Sequence, residues 1–154
     1  MKKKTVVEAY IRTKEENIKG LQQALESIRQ DVIDAPGSNV SHSDTSRFQH
    51  SNLALEHERR LIDAERSLGM FKAVPQASFT SIFVGSFFVL MNKKTGEQSF
   101  YLLIPEGGGD WFEADGIEVL SISEEGPLAQ ALRGKEKGDK VTFRDRTLEV
   151  VDVQ

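Results

Sequence analysis

The first third of the chain repeats apolar residues with the spacing of a coiled coil. Charged and polar side chains lie between them, so only one narrow seam of the helix is apolar. The pattern stops at Asp34-Ala35-Pro36-Gly37, where proline and glycine break a helix. It therefore predicts one long amphipathic helix that ends near residue 34. The seam consists of Ile11, Ile18, Leu21, Leu25, Ile28 and Val32.

A second helix is predicted between the polar stretch that follows and Pro75. Residues 38–46 are rich in the serine, threonine and aspartate that cap helix starts. Residues 1–73 are thus predicted to form an antiparallel coiled-coil hairpin with its tip near 35–46. The heptads by themselves fit a dimeric coiled coil as well as a hairpin. The second seam is predicted at Phe48, Leu55 and Ile62, spaced by seven, with Ala54, Leu61 and Leu68 alongside.

Residues 74–154 carry a different pattern, with short apolar runs between glycine-rich turns, which is typical of β-strands. The segment 107–110 lacks a phosphate-binding spacing and is predicted to be a turn. Pro127 suits the first turn of a short helix that ends at Gly134. We expect an α+β domain, a compact antiparallel sheet with one short helix. The predicted strands are 79–84, 86–91, 99–104, 117–122, 140–143 and 147–151, and the helix is 128–132.

Composition narrows the class of protein. The chain has 154 residues, of which 38% are hydrophobic and 29% charged, enough for a folded core. Cysteine is absent, which excludes disulfides and thiolate-ligated metal sites. Residues 1–73 hold twelve Lys or Arg and eleven Asp or Glu, whereas residues 74–154 hold eight and thirteen. The net charge of −4 argues against a protein that coats DNA, and no apolar run is long enough to span a membrane.

A few residue groups suggest chemistry only weakly. His50 and His57 are seven residues apart, whereas zinc ligands on a helix usually lie three or four apart. Trp111 and Phe112 fit either an apolar pocket or a packed core. Six arginines of the predicted hairpin could form a basic face that contacts RNA, or they could belong to the ordinary solvated exterior of a coiled coil. They are Arg12, Arg29, Arg47, Arg59, Arg60 and Arg66.

The most specific motif lies between Ile122 and Val141. Gly126-Pro127 is followed by the helical run LAQAL and then by GKEKGDKV, which begins at Gly134. This run resembles the C-terminal signature of the bacterial Gre transcription elongation factors, which has a Ser-Pro turn, a helix of the ARAL type and GKKxGDEV. Gre factors join an N-terminal antiparallel coiled coil to an FKBP-like sheet domain. The resemblance therefore covers the whole chain and implies the same two-part architecture, with domains at 1–73 and 74–154.

The resemblance implies that RNA polymerase is the partner. In Gre factors the sheet domain docks at the secondary channel of the polymerase, and the coiled coil enters that channel. The docking turn of the family, Asp-Ser-Pro or Ser-Ser-Pro, falls here on Glu125, Gly126 and Pro127, with Ser123 just before it. Glu125 keeps the acid and Pro127 the proline, while Gly126 replaces the serine.

The resemblance also implies a role for the tip. Gre factors carry the pattern GDxxENAEY there, whose acids help the polymerase hold a second Mg²⁺ for cleavage of backtracked RNA. Without a gap in the alignment, Ser41 falls at the Asp, Asp44 at the first Glu and Arg47 at the second Glu. Asp44 is thus the metal-binding candidate, for a Mg²⁺ shared with the polymerase. No tightly bound cofactor is implied.

The resemblance therefore implies a cytoplasmic, monomeric accessory factor, with nascent RNA near the hairpin and no membrane contact. It is not itself an enzyme, because the polymerase performs any RNA cleavage. Two effects on elongation stay open: stimulation of cleavage through Asp44, or occlusion of the channel in competition with cleavage factors. The residues alone also leave open a dimeric coiled-coil adaptor and, from the FKBP-like fold, a peptidyl-prolyl isomerase.

Overall fold

The computed structural model describes the backbone of residues 1–34 and 41–154 and the side chains of residues 1–34 and 48–154. It confirms the α+β class. By internal packing the chain divides into a helical unit, Lys14–Arg66, and a sheet unit formed by Met1–Thr13 and Ser67–Gln154. Within the described residues, no helix has an apolar stretch long enough to cross a membrane. The elements are α1 (Lys3–Asp34), α2 (Ser41–Ala73), β1 (Phe87–Asn92), β2 (Gln98–Ile104), β3 (Trp111–Ala114), β4 (Ile117–Ser123), α3 (Pro127–Leu132), β5 (Lys140–Phe143) and β6 (Arg146–Val153).

The two helices of the helical unit run antiparallel. Arg29 forms an ion pair with Glu58 at 2.5 Å, and the Gln22 amide donates to the Glu65 carboxylate at 3.4 Å. The position on α2 rises as the position on α1 falls, which only an antiparallel pair allows. The heptads are therefore used within one chain, as the predicted hairpin requires. Because these polar pairs are exposed, each contributes at most about 1 kcal/mol.

The predicted seam is confirmed on α1, whereas on α2 its residues at intervals of seven are exposed and only the residues predicted alongside them are covered. Leu25 is buried, and the other members of the α1 seam in this unit are half-buried. On α2, by contrast, Phe48, Leu55 and Ile62 are 68%, 57% and 62% exposed. The covered face has the same period but is offset from Phe48, Leu55 and Ile62, and it includes Ala54 and Leu61, which were predicted alongside them. In the helical unit that face consists of His50, Ala54, His57, Leu61 and Ala64, all half-buried.

The sheet has six strands in the order β3-β4-β2-β1-β6-β5. Four neighbouring pairs are antiparallel, as expected, but β2 and β4 are parallel. The reason is β3, a strand that the sequence analysis did not predict. It forms an antiparallel hairpin with β4 at the sheet edge, and that hairpin sets β4 beside β2 in the same direction as β2. Sequence patterns missed β3 because it has four residues and follows three glycines.

The strand predicted at 79–84 is wrong. Its backbone pairing is limited to an isolated bridge between Ser81 and Glu136 and to hydrogen bonds of the Ile82 backbone with Gly134 and Lys135. Ile82 N donates to the carbonyl of Lys135 at 2.8 Å. A turn with Gly85 at φ +92° then ends the segment before it can continue into β1. The remaining predicted strands are present, with ends that differ by a few residues.

One face of the sheet is covered by the beginning of α1 and the end of α2. Tyr10 and Phe71 are 1% and 0% exposed, with ring centroids 4.7 Å apart in edge-to-face geometry. The Tyr10 ring also meets Phe112 of β3 at 5.4 Å. Burial, with the charge of Asp110, raises the pKa of Tyr10 well above its ordinary value, and a hydrogen bond with Ser67 opposes this only in part. The Tyr10 phenol therefore stays protonated inside the core.

The opposite face of the sheet is covered by α3. Its Ala129 and Leu132 are buried against Phe88 and Leu90 of β1 and against Val150. The alternate residues of β1 belong to the cluster on the first face, so this strand is buried on both sides. That double burial explains why β1 is a continuous apolar run rather than an alternating one.

The loop between β2 and β3 passes close to the end of β4. Gly108 has φ +97°, and a Cβ added there would lie 2.8 Å from the backbone nitrogen of Ser123. Gly109 has a similar φ of +87°, but a Cβ added there would meet nothing within 4 Å. Gly109 N also donates to the carbonyl of Ser121 at 2.7 Å, which holds the loop on β4. The turn predicted at 107–110 is thus a packed part of the sheet unit.

Removing the helix-end aromatic from the core is expected to destabilise the fold strongly. Phe71→Ala empties a fully buried site, so the free energy of unfolding should fall by about 3–5 kcal/mol. Phe48→Ala is the matched control, since the same atoms are lost from a side chain that is 68% exposed. Its effect should stay within about 0.5 kcal/mol. Urea unfolding followed by circular dichroism measures both, and equal losses would contradict the core assignment of Phe71.

Comparing alanine variants of Gly108 and Gly109 separates the cost of backbone strain from the cost of a steric clash. Gly109→Ala should lower the unfolding free energy by about 1–2 kcal/mol, because alanine disfavours positive φ. Gly108→Ala carries the same conformational cost and adds a clash with Ser123, which should remove about 1–3 kcal/mol more. Thermal unfolding of the two variants gives the comparison. A Gly108 variant as stable as the Gly109 variant would show that the loop is not held against β4.

Candidate functional site

The predicted docking turn connects β4 to α3, and hydrogen bonds fix it at both ends. Gly126 N donates to the Ser123 carbonyl at 3.0 Å, and Glu125 N to the Ser123 hydroxyl at 3.3 Å. On the helix side, Gln130 N donates to the Gly126 carbonyl at 3.0 Å. Pro127 occupies the first position of α3, where a helix needs no N–H donor. The four predicted residues therefore form one rigid turn.

Gly126 has a steric reason to differ from the serine of the Gre pattern. Its backbone is extended, with φ −67° and ψ 146°, so its conformation does not require glycine. A Cβ at this position, however, would lie 3.1 Å from the carbonyl oxygen of Ser123. A serine at this position would therefore require the Ser123 carbonyl to shift by a few tenths of an ångström.

The turn presents acidic groups next to an exposed aromatic ring. Glu124 and Glu125 are exposed, and so is Pro127. Phe83 is 42% exposed and lines a small cavity of about 30 Å³ with Glu124 and the exposed Arg133. We call Phe83, Glu124, Glu125 and Pro127 the docking surface. Sequence reasoning missed Phe83 because it assigned the residue to a strand, although Gly85 two positions later signals a turn.

The predicted tip residues Ser41 and Asp44 lie in the first turns of α2 along the backbone. Their side chains, like that of Arg47, are outside the described residues, so the assignment of Asp44 to a shared Mg²⁺ stays a prediction. Among the side chains that the structure does describe, no cluster of three or more His, Asp or Glu residues could hold a metal ion.

His57 and most of the described hairpin arginines have local partners. His57 places its Nδ1 atom 3.0 Å from the carbonyl oxygen of Leu53, on its own helix. Arg29 pairs with a carboxylate of the other helix, as described above. Two further arginines pair along α2, Arg60 with Glu56 and Arg66 with Asp63 at 3.6 Å. These pairs neutralise much of the positive charge that the sequence placed on the hairpin.

Trp111 and Phe112 do not share a pocket. Neighbouring residues of a strand point to opposite faces of the sheet. Phe112 is 5% exposed and packs in the core against Tyr10, whereas Trp111 is 59% exposed. The core interpretation is therefore right for Phe112, and Trp111 is left on the surface.

Comparison with known proteins identifies the family. No family model matches the chain. The transcription elongation factor GreA of Jannaschia sp. (strain CCS1) is 30% identical over 135 residues, which cover 84% of this chain and 83% of that protein. The GreA of Cereibacter sphaeroides (strain ATCC 17025) is 30% identical over 132 residues, or 80% and 81% of the two chains. A crystal structure of GreA factor homolog 1 (Gfh1) of Thermus thermophilus aligns over 94% of both chains at 19% identity, with a TM-score of 0.39. The sequence relatives decide the assignment, and the chain belongs to the GreA family of transcription elongation factors.

Proposed function

We propose that this chain binds RNA polymerase at the secondary channel through the docking surface and modulates elongation with the tip of its hairpin. The observation that carries the proposal is the Ser123–Pro127 turn, which keeps the acid and the proline of the family motif in a rigid, exposed turn. A rigid turn loses little conformational entropy when it binds, so its contacts contribute fully to affinity. Phe83 adds the apolar contact area that an acidic turn lacks.

In this proposal the chain is an accessory factor of the cytoplasm, and the polymerase performs any chemistry on RNA. It acts as a monomer, because the ion pairs and half-buried seam positions of α1 and α2 are used within one chain.

Arg12 and Arg59 are the arginines that we propose to face nascent RNA. Among the described side chains, neither has a carboxylate partner, and both are exposed.

The composition of the tip limits what it can do at the polymerase active centre. Asp44 offers one carboxylate to a shared Mg²⁺, a hard cation that prefers oxygen ligands. Ser41 offers a hydroxyl in place of the second carboxylate, and the sequence adds the positive Arg47 nearby, which disfavours a cation. Weak stimulation of cleavage is therefore our expectation. Occlusion of the channel is the second candidate, and the same Ser41 and Arg47 favour it.

Reversing the charge of the docking turn should weaken polymerase binding. Glu125→Lys places a cation where we propose a contact with the polymerase. We expect an affinity at least about tenfold lower, since a charge contact of this kind contributes about 1.5–3 kcal/mol. Glu113→Lys makes the same change on β3, at another exposed position of the sheet unit, and should alter affinity less than twofold. Titration of fluorescently labelled protein with polymerase of the same organism measures both. Equal losses would remove the docking turn from the interface.

Transcript cleavage in a stalled, backtracked elongation complex tests the tip. Added to the complex with Mg²⁺, the wild-type chain should shorten the RNA slowly, and Asp44→Asn should abolish the effect because it removes the charge while keeping the side-chain shape. Ser41→Asp should speed shortening about tenfold or more, because it restores the second carboxylate.

The outcomes of this assay distinguish the candidates. No shortening together with protection of the complex from a genuine cleavage factor would establish occlusion. Neither shortening nor protection would overturn the secondary-channel proposal. Circular dichroism of the two tip variants checks that α2 is intact, since Asp44 also suits the first turn of a helix.

A further inference from the structure

A half-apolar pocket opens between α3 and the hairpin of β5 and β6. It encloses about 300 Å³, which is within the range of small-molecule sites. Its walls are partly aliphatic and aromatic, and besides two arginines they include three polar side chains, Asn92, Glu97 and Ser99. The apolar part is formed by Leu90, Tyr101, Leu128, Phe143 and Leu148.

The mouth of the pocket carries two arginines without carboxylate partners. Arg144 holds its guanidinium 5.3 Å from the centroid of the Phe143 ring, and Arg146 lies two residues further on. Both are exposed, and among the described side chains no carboxylate forms an ion pair with either. The nearby Lys93, in contrast, is neutralised by Glu149 at 2.8 Å. Together with the Glu97 carboxylate, which lines the same pocket, the two guanidinium groups leave the charged lining residues with a net positive charge.

The turn that presents these arginines is held in a disfavoured conformation. Arg144 has φ +47° and Asp145 φ +60°, so both central residues of the two-residue turn are left-handed. Such turns normally use Asn-Gly or similar residues, because side chains with a bulky Cβ disfavour positive φ. A residue such as asparagine would make this turn more stable, yet the chain has Arg144 at the first central position. Backbone strain of this kind concentrates at functional sites.

We propose that this pocket binds a nucleoside phosphate. The base would lie among Tyr101, Phe143 and Leu128, with its polar edge toward Glu97 and Ser99. The phosphate would lie at the mouth between Arg144 and Arg146, where guanidinium groups form paired hydrogen bonds with its oxygens.

Charge and size favour this ligand over an acidic peptide. A terminal phosphate carries close to two negative charges and can accept hydrogen bonds from two guanidinium groups, whereas a carboxylate carries one charge. The enclosed volume suits one base and sugar rather than a helix or strand. The inference does not rest on polymerase binding, and a failure of either proposal leaves the other standing.

Isothermal titration calorimetry of the full chain with ATP and with GTP tests the site. Binding of at least one of them is expected, weakened about tenfold or more by Arg146→Gln. Lys137→Gln is the matched control, because it removes an exposed charge that does not line the pocket, and affinity should stay within twofold.

Arg144→Asn separates a ligand contact from a structural role. Asparagine tolerates left-handed backbone, so the melting temperature should rise while the affinity for the nucleotide falls. A variant that loses both stability and affinity would assign Arg144 to the fold alone and overturn its role in binding.

Three further probes decide the ligand class. Inorganic phosphate should bind at least tenfold more weakly than the nucleotide, and equal binding would remove the base from the site. A short RNA with a terminal phosphate distinguishes a chain end from a free nucleotide, since competition by the RNA at a similar concentration would identify a strand terminus as the source. A leucine-containing acidic peptide that binds, while ATP and GTP do not bind at millimolar concentration, would overturn the proposal in favour of a peptide site.

Discussion

The edge-to-face packing of Tyr10 on Phe71 and Phe112 is the contact on which the sheet unit depends. It joins the beginning of α1, the end of α2 and the edge strand β3 in one apolar cluster. Burial of each of these side chains contributes about 1.5–3 kcal/mol, against a total stability of about 5–15 kcal/mol for a domain. Residues 1–13 and 67–73 therefore belong to the folded sheet unit, although they are also the ends of the two long helices.

The same dependence appears at the chain ends. The Gln154 side chain accepts a hydrogen bond from the backbone of Lys3 at 2.8 Å and donates one to the Met1 carbonyl at 3.0 Å. Lys3 in turn donates to the Ala77 carbonyl at 2.5 Å, and its burial lowers its pKa. Polar contacts thus fix the start of α1 to Gln154, which follows the last strand, and to the segment after α2. These hydrogen bonds are directional, whereas the apolar packing is not.

Sequence patterns were sufficient to predict the elements whose apolar residues repeat with a strong period. They failed where the prediction required knowing which face of an element is buried. The α1 seam and the continuous run of β1 were predicted because their burial follows from their own residues. On α2 the period was visible but its phase only in part, since Ala54 and Leu61 are half-buried as predicted. Phe48 and Leu55 are exposed, however, while His50 and His57 hold half-buried positions. Which face of a helix is covered depends on its partner, and a single sequence does not contain that information.

The candidate site was predictable in the same uneven way. Family resemblance located the turn from Ser123 to Pro127, because its motif is local in sequence. Phe83 escaped, because it reaches the docking surface from a segment 40 residues earlier. The pocket beneath Arg144 escaped as well, since its walls come from four strands and α3, and no motif marks such a combination. Tertiary contacts that join distant segments carry no signature in one sequence.

The short helix α3 separates two surfaces of opposite charge. Its first residue, Pro127, belongs to the acidic docking surface, whereas the next residue, Leu128, lines the pocket whose mouth carries Arg144 and Arg146. One partner surface cannot complement both charges equally well, because a group that attracts the arginines repels Glu124 and Glu125. A helix of six residues thus gives the sheet unit two chemically distinct faces, one suited to a basic or neutral protein surface and the other to a small anion.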